Sequence, residues 1–328
     1  MIKKLNCITL LIVLLVTILA LSACAAEYKL KMGSSSGPDY FTNRAKEAWI
    51  KAIEEGSNGN IEIEHYVLNS LGTEKQQVEM VSLGTVDFGG LGSQFVSNYA
   101  EELGALGVPF LIKDYEHMQR VIKSGVLDDY LKKVEKNSNQ KILGWGFSGI
   151  RHLTTKNILV RTPEDLKGVK IRCMDSPFYQ DAISSLGATP TPIAYTELYM
   201  ALQTGVVRGQ ENPVTAIFDS KMYEVQNYLM LTGHEYYGGW LTISQITWNK
   251  LPEEYQQLIQ KAFDEVYVPK VFQYWDEDEN KILATLAKKG MNIIIPDKEA
   301  FRKYSNSYMM KKYGDKWGDL IEAISDVK

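Results

Sequence analysis

The chain has 328 residues, of which 45% are apolar and 23% charged, with a formal net charge of −4. That length exceeds what one hydrophobic centre usually serves, so two domains are expected. The balance is that of an ordinary soluble protein, and its slight acidity offers nothing to attract nucleic acid or an anionic membrane surface.

Reading from the N-terminus, Lys3 and Lys4 precede an uncharged apolar run over residues 8–21 and then Leu21-Ser22-Ala23-Cys24. This is a secretory leader over residues 1–23, too short to anchor stably across a bilayer. L-S-A-C resembles a lipobox, in which the Cys24 thiol is acylated and becomes the first residue of a lipid-anchored mature chain. Ordinary cleavage among Ala23, Ala25 and Ala26, leaving Cys24 free, is the plainer alternative. With Cys7 in the leader and Cys24 lipidated, Cys173 stands alone, so neither an internal disulfide nor a cysteine metal site is expected.

A strand over 28–32 leads into a helix in which Phe41, Ala45, Ala48, Trp49, Ala52 and Ile53 recur at helical spacing before Gly56. Ile61, Ile63, His65 and Val67 then alternate with polar neighbours, as in a strand with one buried face. Helix (74–83), strand (86–91), helix (115–124) and strand (142–147) continue an α/β alternation. A second set of units begins after Arg151, where Thr162-Pro163 and Ser176-Pro177 each place a capping hydroxyl before a proline, and Gly168 and Gly187 stop the helices. Strands over 169–174 and 206–210 flank a helix over 196–204, and a strand pair, 228–232 and 240–244, marks the return to the first lobe. A helical pattern from Pro252 to about Lys289 is long enough to brace both lobes, and Pro269 should kink it.

Residues that carry chemistry are sparse. No G-x-x-x-x-G-K-S/T phosphate loop, no H-E-x-x-H pair and no G-x-S-x-G nucleophile elbow is read, and no metal or cofactor is expected. Gly89-Gly90-Leu91-Gly92 lacks the third glycine of a dinucleotide fingerprint and reads as a tight turn allowing close backbone approach. His65 reads as a packed structural residue. His234-Glu235 could be an acid/base pair, but no nucleophile or third group accompanies it. Arg172 is sharper: in Val169-Lys170-Ile171-Arg172-Cys173-Met174 it faces away from Ile171 and Cys173, near a strand end, suited to gripping a carboxylate. An exposed arginine in a surface salt bridge is the competing reading.

The runs KIRCMDSPFY, LGATPTP, ELYMALQTGVV and GQENP, with NSLGTEKQQVEMVSLGTVDFG upstream and LPEEYQQLI downstream, closely resemble the solute-binding proteins of TRAP transporters, the tripartite ATP-independent periplasmic systems, of the DctP type. The resemblance spans essentially the whole mature chain. It implies that Arg172 pairs with a substrate carboxylate, that Asn212 of ENP is a polar cleft contact, and that Arg151 is a second cationic contact. It also makes Glu74, after LGT, a candidate for the ligand's polar end and Tyr195 a candidate aromatic wall. A helix-start carboxylate and a core aromatic are the structural alternatives. Tyr237 and Trp240 are placed by position beside the lobe crossing, with core packing expected of Trp240. Arg208 stands where the family commonly has aspartate, which puts the charge network near Asn212 in question.

The fold expected is α/β, two-lobed and periplasmic-binding-protein-like (a Venus flytrap), with crossing strands and a long kinked bracing helix. Lobe 1 is residues 24–148 with about 238–278, and lobe 2 is 149–237 with about 279–328. The function expected is extracytoplasmic capture of a small organic acid, a sugar acid such as a uronate first and a four-carbon dicarboxylate or keto acid next. The solute is then delivered to an ion-gradient-driven TRAP permease by a lipid-anchored monomer at the outer face of the cytoplasmic membrane, with no cofactor and no nucleic acid. The rival readings are a lipid-anchored enzyme acting on a sugar acid, which would need paired carboxylates in the cleft, and the binding subunit of a sensor or ATP-driven transporter.

Overall fold

The computed structural model describes residues 26–328; the leader and Cys24 lie outside them. Leu30 and Met32 of β1 (Tyr28–Gly33) and Ile61 and Ile63 of β2 (Ile61–Tyr66) point into the core while their neighbours face out, so both strands follow the pleat. Helix α1 (Phe41–Gly56) lays Phe41, Ala45, Trp49 and Ile53 on the same core. Helix α2 (Glu74–Leu83) starts from a Thr73/Gln76 capping box and stops at Gly84 in the left-handed conformation. Strand β3 (Phe88–Gly92) follows, then α3 (Tyr115–Lys123) and α4 (Asp128–Ser138).

Two long antiparallel strands, β4 (Gln140–Thr155) and β8 (Tyr228–Ser244), tie the lobes into one sheet of order β2-β1-β3-β8-β4-β7-β5-β6, with β9 (Asn292–Ile294) beside β8. Between them run β5 (Lys170–Cys173), α5 (Pro177–Ser185), β6 (Thr189–Pro192), α6 (Leu198–Thr204), β7 (Gly209–Pro213) and α7 (Val214–Asp219). One half of the β4/β8 pair carries β3 of the first lobe; the other half carries β7 and β9 of the second. Register shifts interrupt this pair three times, one between Phe147 and Gly149, where Gly149 has φ +113°. Such bulges bend a strand pair as it passes between lobes. The strand pieces read at 142–147, 228–232 and 240–244 are therefore parts of two continuous strands.

Gly89–Gly92 form strand, not a tight turn: they pair with β8, and a Cβ on Gly239 would come within 2.8 Å of Gly92. Close backbone approach is indeed required there, between β3 and β8. The long helix is α8 (Glu253–Ala262), a π-turn (Phe263–Tyr267) and α9 (Val268–Lys288). Pro269 lacks the amide that would bond one turn back, and the ladder loosens just ahead of it as the π-turn. Phe272 and Trp275 of α9 pack on Phe147 in the first core, whereas Ile282, Leu283 and Leu286 join the second-lobe cluster around Leu198 and Leu202. The helix thus spans both lobes. A final helix, α10 (Lys298–Ser325), adds Trp317 against Gly104 and Phe178.

Candidate functional site

The strands of the second lobe end at a cluster of buried charges. Arg151, on β4, makes a bidentate pair with Glu211: Nε donates to Oε2, and Nη2 donates to Oε1 at 2.9 Å and to the Glu211 carbonyl at 2.9 Å. Nη2 also reaches Asn212 Oδ1 at 3.2 Å, and the guanidinium lies 4.6 Å from the centre of the Tyr237 ring. Burial pushes Glu211 up, but Arg151 and His234, whose Nε2 is 3.3 Å from Oε2, outweigh it and hold the carboxyl down at about 2. Asn212 also donates its amide to Gln210 Oε1. Arg151 is therefore a cation paired within the fold, and it also bonds Asn212 at the end of β7.

Arg172 differs in kind. It sits on β5 opposite Thr191 of β6 and Gln210 of β7, is 3% exposed, and donates Nε to the Ile193 carbonyl at 2.9 Å. Its guanidinium lies 5.7 Å from the Tyr195 ring, whose hydroxyl bonds Ser220 at 2.7 Å. Among the described residues no carboxylate makes an ion pair with it, and burial, helped by the charge of Arg151, lowers its pKa against the opposing pull of Glu211, Cys173 and Tyr195. A planar fork of donors without a counter-ion is matched to a carboxylate.

A second acid, Glu235, stands opposite Arg151 across the β4/β8 pair, 3.8 Å from Nε and bonded by the Tyr179 hydroxyl at 3.1 Å. Burial raises its pKa to about 7, against the pull of Arg151 and helped by the charge of Glu211. A raised carboxyl holds its proton in the fold where the unfolded chain has lost it, so its contribution falls as pH rises from about 4.5 to 7. Glu235→Gln should remove that loss: relative to the variant, the wild type becomes less stable by roughly 3 kcal/mol between those limits. Urea unfolding at pH 5 and 7.5 measures it, and parallel profiles for the two proteins would refute the assignment.

Of the residues singled out by sequence, Arg151, Arg172, Asn212, Tyr195 and Tyr237 share this neighbourhood. Glu74 belongs to the other lobe, exposed at the start of α2, where its Oε1 accepts from Ser35 Oγ at 2.7 Å. Trp240 is core, 2% exposed. Arg208 lies outside the charge cluster: it is exposed and donates to the Lys156 carbonyl at 3.2 Å. Sequence reading missed Glu211, Tyr179 and Tyr40. The Tyr40 hydroxyl crosses between lobes, donating to the Ser148 carbonyl at 3.2 Å and accepting from Thr215 Oγ1 at 3.1 Å. It also overlooked that Gly33-Ser34-Ser35-Ser36-Gly37 spells the G-x-S-x-G of a nucleophile elbow after a strand. The central Ser35 donates to a carboxylate and not to a histidine, so the triad geometry is missing. No metal-holding group of His, Cys, Asp and Glu occurs among the described residues, and no described helix is long and apolar enough to cross a membrane.

Two α/β lobes joined by crossing strands, with an unpaired guanidinium at strand ends and an interlobe tyrosine contact, define a solute-binding protein of the periplasmic type. The chain belongs to the DctP family, bacterial extracellular solute-binding protein family 7, whose model matches residues 32–315; these are binding proteins of TRAP transporters. It is 32% identical over 300 residues to the sialic acid-binding periplasmic protein SiaP of Vibrio cholerae, covering 88% of this chain and 90% of that one. The TRAP solute-binding protein of Polaromonas sp. JS666 bound to D-erythronate matches with a TM-score of 0.85 and 31% identity, covering 92% of this chain and 99% of the other. That of Pseudomonas putida F1 with bound D-glucuronate matches at 0.84 and 28%, covering 92% and 97%.

Proposed function

We propose that this TRAP solute-binding protein captures a sugar acid, an aldonate or uronate, by gripping its carboxylate with Arg172 inside the interlobe cleft. Asn212 and Tyr195 complete the grip, Arg151 steadies Asn212, and Tyr237 lines the crossing. The observation that carries this reading is the contrast between neighbouring buried arginines: Arg151 is paired with Glu211, and Arg172 has no acid of its own. Sialic acid, D-erythronate and D-glucuronate, the solutes named for these three relatives, all carry a carboxylate beside hydroxyls, whereas a fourth, similar structure holds succinate, which has no hydroxyl. Lobe 1 (24–148 with about 238–278) and lobe 2 (149–237 with about 279–328) close around the solute by bending where β4 and β8 cross. Binding energy favours the closed state because the solute touches both lobes only there. The closed protein then passes its solute to an ion-gradient-driven permease. A thermal-shift screen of organic acids tests this: a true solute at a hundred times its Kd should add about 2.7 kcal/mol of stability. If no carboxylate stabilises the protein, the reading fails.

Acylation of Cys24 anchors the mature chain to the membrane surface in this reading. Cys24→Ala should release the protein into the soluble fraction with its solute affinity intact; a variant still labelled by radioactive palmitate and still sedimenting with membranes would refute the anchor.

A further inference from the structure

Three acids gather around the contact between the lobes. Tyr40, in the first lobe, accepts from Thr215 Oγ1 of α7, in the second, at 3.1 Å. Asp39 precedes Tyr40, and Asp219 lies four residues after Thr215, one helical turn along the same face of α7. The bond that joins the lobes therefore draws Asp219 towards Asp39. Asp278, on α9, is the third acid within reach of Asp219. Its charge is partly answered, since Arg44 of α1 donates Nη1 to its Oδ2 at 2.9 Å. Among the described residues neither Asp39 nor Asp219 makes an ion pair of its own.

Asp219 stays open to solvent while protein crowds it from several sides. That partial desolvation, then the charges of Asp278 and Asp39, raise its pKa to about 6. Because the carboxyl keeps its contact with water, the two like charges weigh more, and desolvation less, than for an acid sealed in a core. Tyr40 and Tyr195 also lie within reach of its charge, and desolvation raises both phenols, so neither ionises at physiological pH. The cations nearby are Arg44, which is engaged with Asp278, and Lys221, exposed two residues further on. Ser220, the next residue in the chain, bonds the Tyr195 hydroxyl, and the Tyr195 ring flanks Arg172. Asp219 thus stands where the surroundings of Arg172 give way to the seam between the lobes.

We propose that Asp39 and Asp219 form an electrostatic brake on lobe closure, which a proton on Asp219 releases. The inference rests on the lobes closing around the solute as proposed above. When the lobes part, the two carboxylates move apart and regain water, so their repulsion acts against the closed arrangement and fades in the open one. The closed protein therefore binds the proton more tightly than the open one does. By linkage, closure and solute capture become easier as the pH falls through the closed-state value. Solute is then held most firmly in an acidified medium and released more readily near neutrality.

Calorimetric titration of the purified protein with D-glucuronate and D-erythronate at pH 5 and 7.5 tests this, both carboxylates staying ionised across that range. An acid that binds should bind about three- to tenfold more tightly at pH 5, the gain expected if Asp219 titrates near 6 with the lobes closed and near the ordinary 3.8 with them open. Asp219→Asn should bind at pH 7.5 as the wild type does at pH 5, and Asp39→Asn, at an exposed position, should recover part of that gain. Glu235 titrates in the same range, so the series is repeated with Glu235→Gln. The inference is overturned if Asp219→Asn keeps the wild-type pH dependence, or if that dependence disappears with Glu235→Gln alone. If Arg172→Ala abolishes binding while Asp219→Asn changes nothing, only the brake falls. If neither acid binds, the carboxylate reading fails, and the brake is judged without solute by small-angle X-ray scattering. The radius of gyration should then be smaller at pH 5 than at pH 7.5 in the wild type and equal at both in Asp219→Asn; a radius indifferent to pH and to Asp219 overturns the brake as well.

Discussion

Arg172→Ala is expected to weaken carboxylate binding a hundredfold or more, on the order of 3 to 5 kcal/mol, while leaving the unliganded fold as stable as before or more so. The affinity falls because the proposed carboxylate clamp would lose a guanidinium that no acid pairs among the described residues. The fold does not suffer, because Arg172 makes one hydrogen bond, to the Ile193 carbonyl, and its burial already penalises its charge. Arg172→Lys keeps the charge but loses the two-pronged geometry, so it should recover only part of the affinity. Arg302, exposed and paired with Glu299 one turn away, is the control, and its alanine variant should bind as the wild type does. Calorimetric titration ranks the four proteins. Binding by Arg172→Ala within a factor of about three of wild type, equivalent to ~0.65 kcal/mol, would place the carboxylate elsewhere.

Arg172 was legible because its strand neighbours fixed its face: Ile171 and Cys173 are fully buried on the core side, so the arginine between them had to point the other way. The alternation of Ile61 and Ile63 with glutamates declared β2 in the same manner. The two longest strands were legible only in fragments. Gly144, Gly146 and Gly149 in β4, and Gly233, Gly238 and Gly239 in β8, break the apolar alternation at the positions where the crossing needs bulges or close backbone approach. Glycine carries no pattern for a reader of periodicity. Helix α10 was missed although Phe301, Ser305 and Met309, and then Trp317, Leu320, Ile321 and Ile324, are buried at helical spacing: Ser305 breaks the apolar stripe, and Gly314 and Gly318 interrupt the stretch between its two halves.

Glu211 was invisible for a different reason. It stands beside Asn212 in the same motif, but its role comes from Arg151, 60 positions away, and cross-strand pairing leaves no mark in one sequence. Asp219 looks like any acid ending a short helix until the bond between Thr215 and Tyr40 brings Asp39 across from the other lobe. In both cases the chemistry lies in contacts between segments, which residue spacing within a segment cannot encode.

The Arg151–Glu211 pair should behave as the mirror image of Arg172. Glu211→Gln strands a buried guanidinium whose desolvation is no longer offset, a loss on the order of 3 to 5 kcal/mol of fold stability. Part of that should be recovered by Glu235, which lies 3.8 Å from the Arg151 Nε and is held at about 7 partly by the charge of Glu211. With Glu211 neutral, Glu235 can ionise at lower pH and take over as counter-ion. The variant should therefore lose more stability at pH 5 than at pH 7.5, the reverse of the wild-type trend attributed to Glu235. Glu211→Gln combined with Glu235→Gln removes this rescue and should cost more than the two single changes added together, as coupled neighbours do. Anion affinity should survive in Glu211→Gln, because Arg172 is untouched and the cleft has gained net positive charge. Urea unfolding and calorimetry on the three variants separate the roles: stability falls and binding persists here, whereas binding falls and stability persists for Arg172→Ala. Strict additivity in the double variant, or a stability loss in Glu211→Gln below about 0.5 kcal/mol, would show that Arg151 does not depend on these acids.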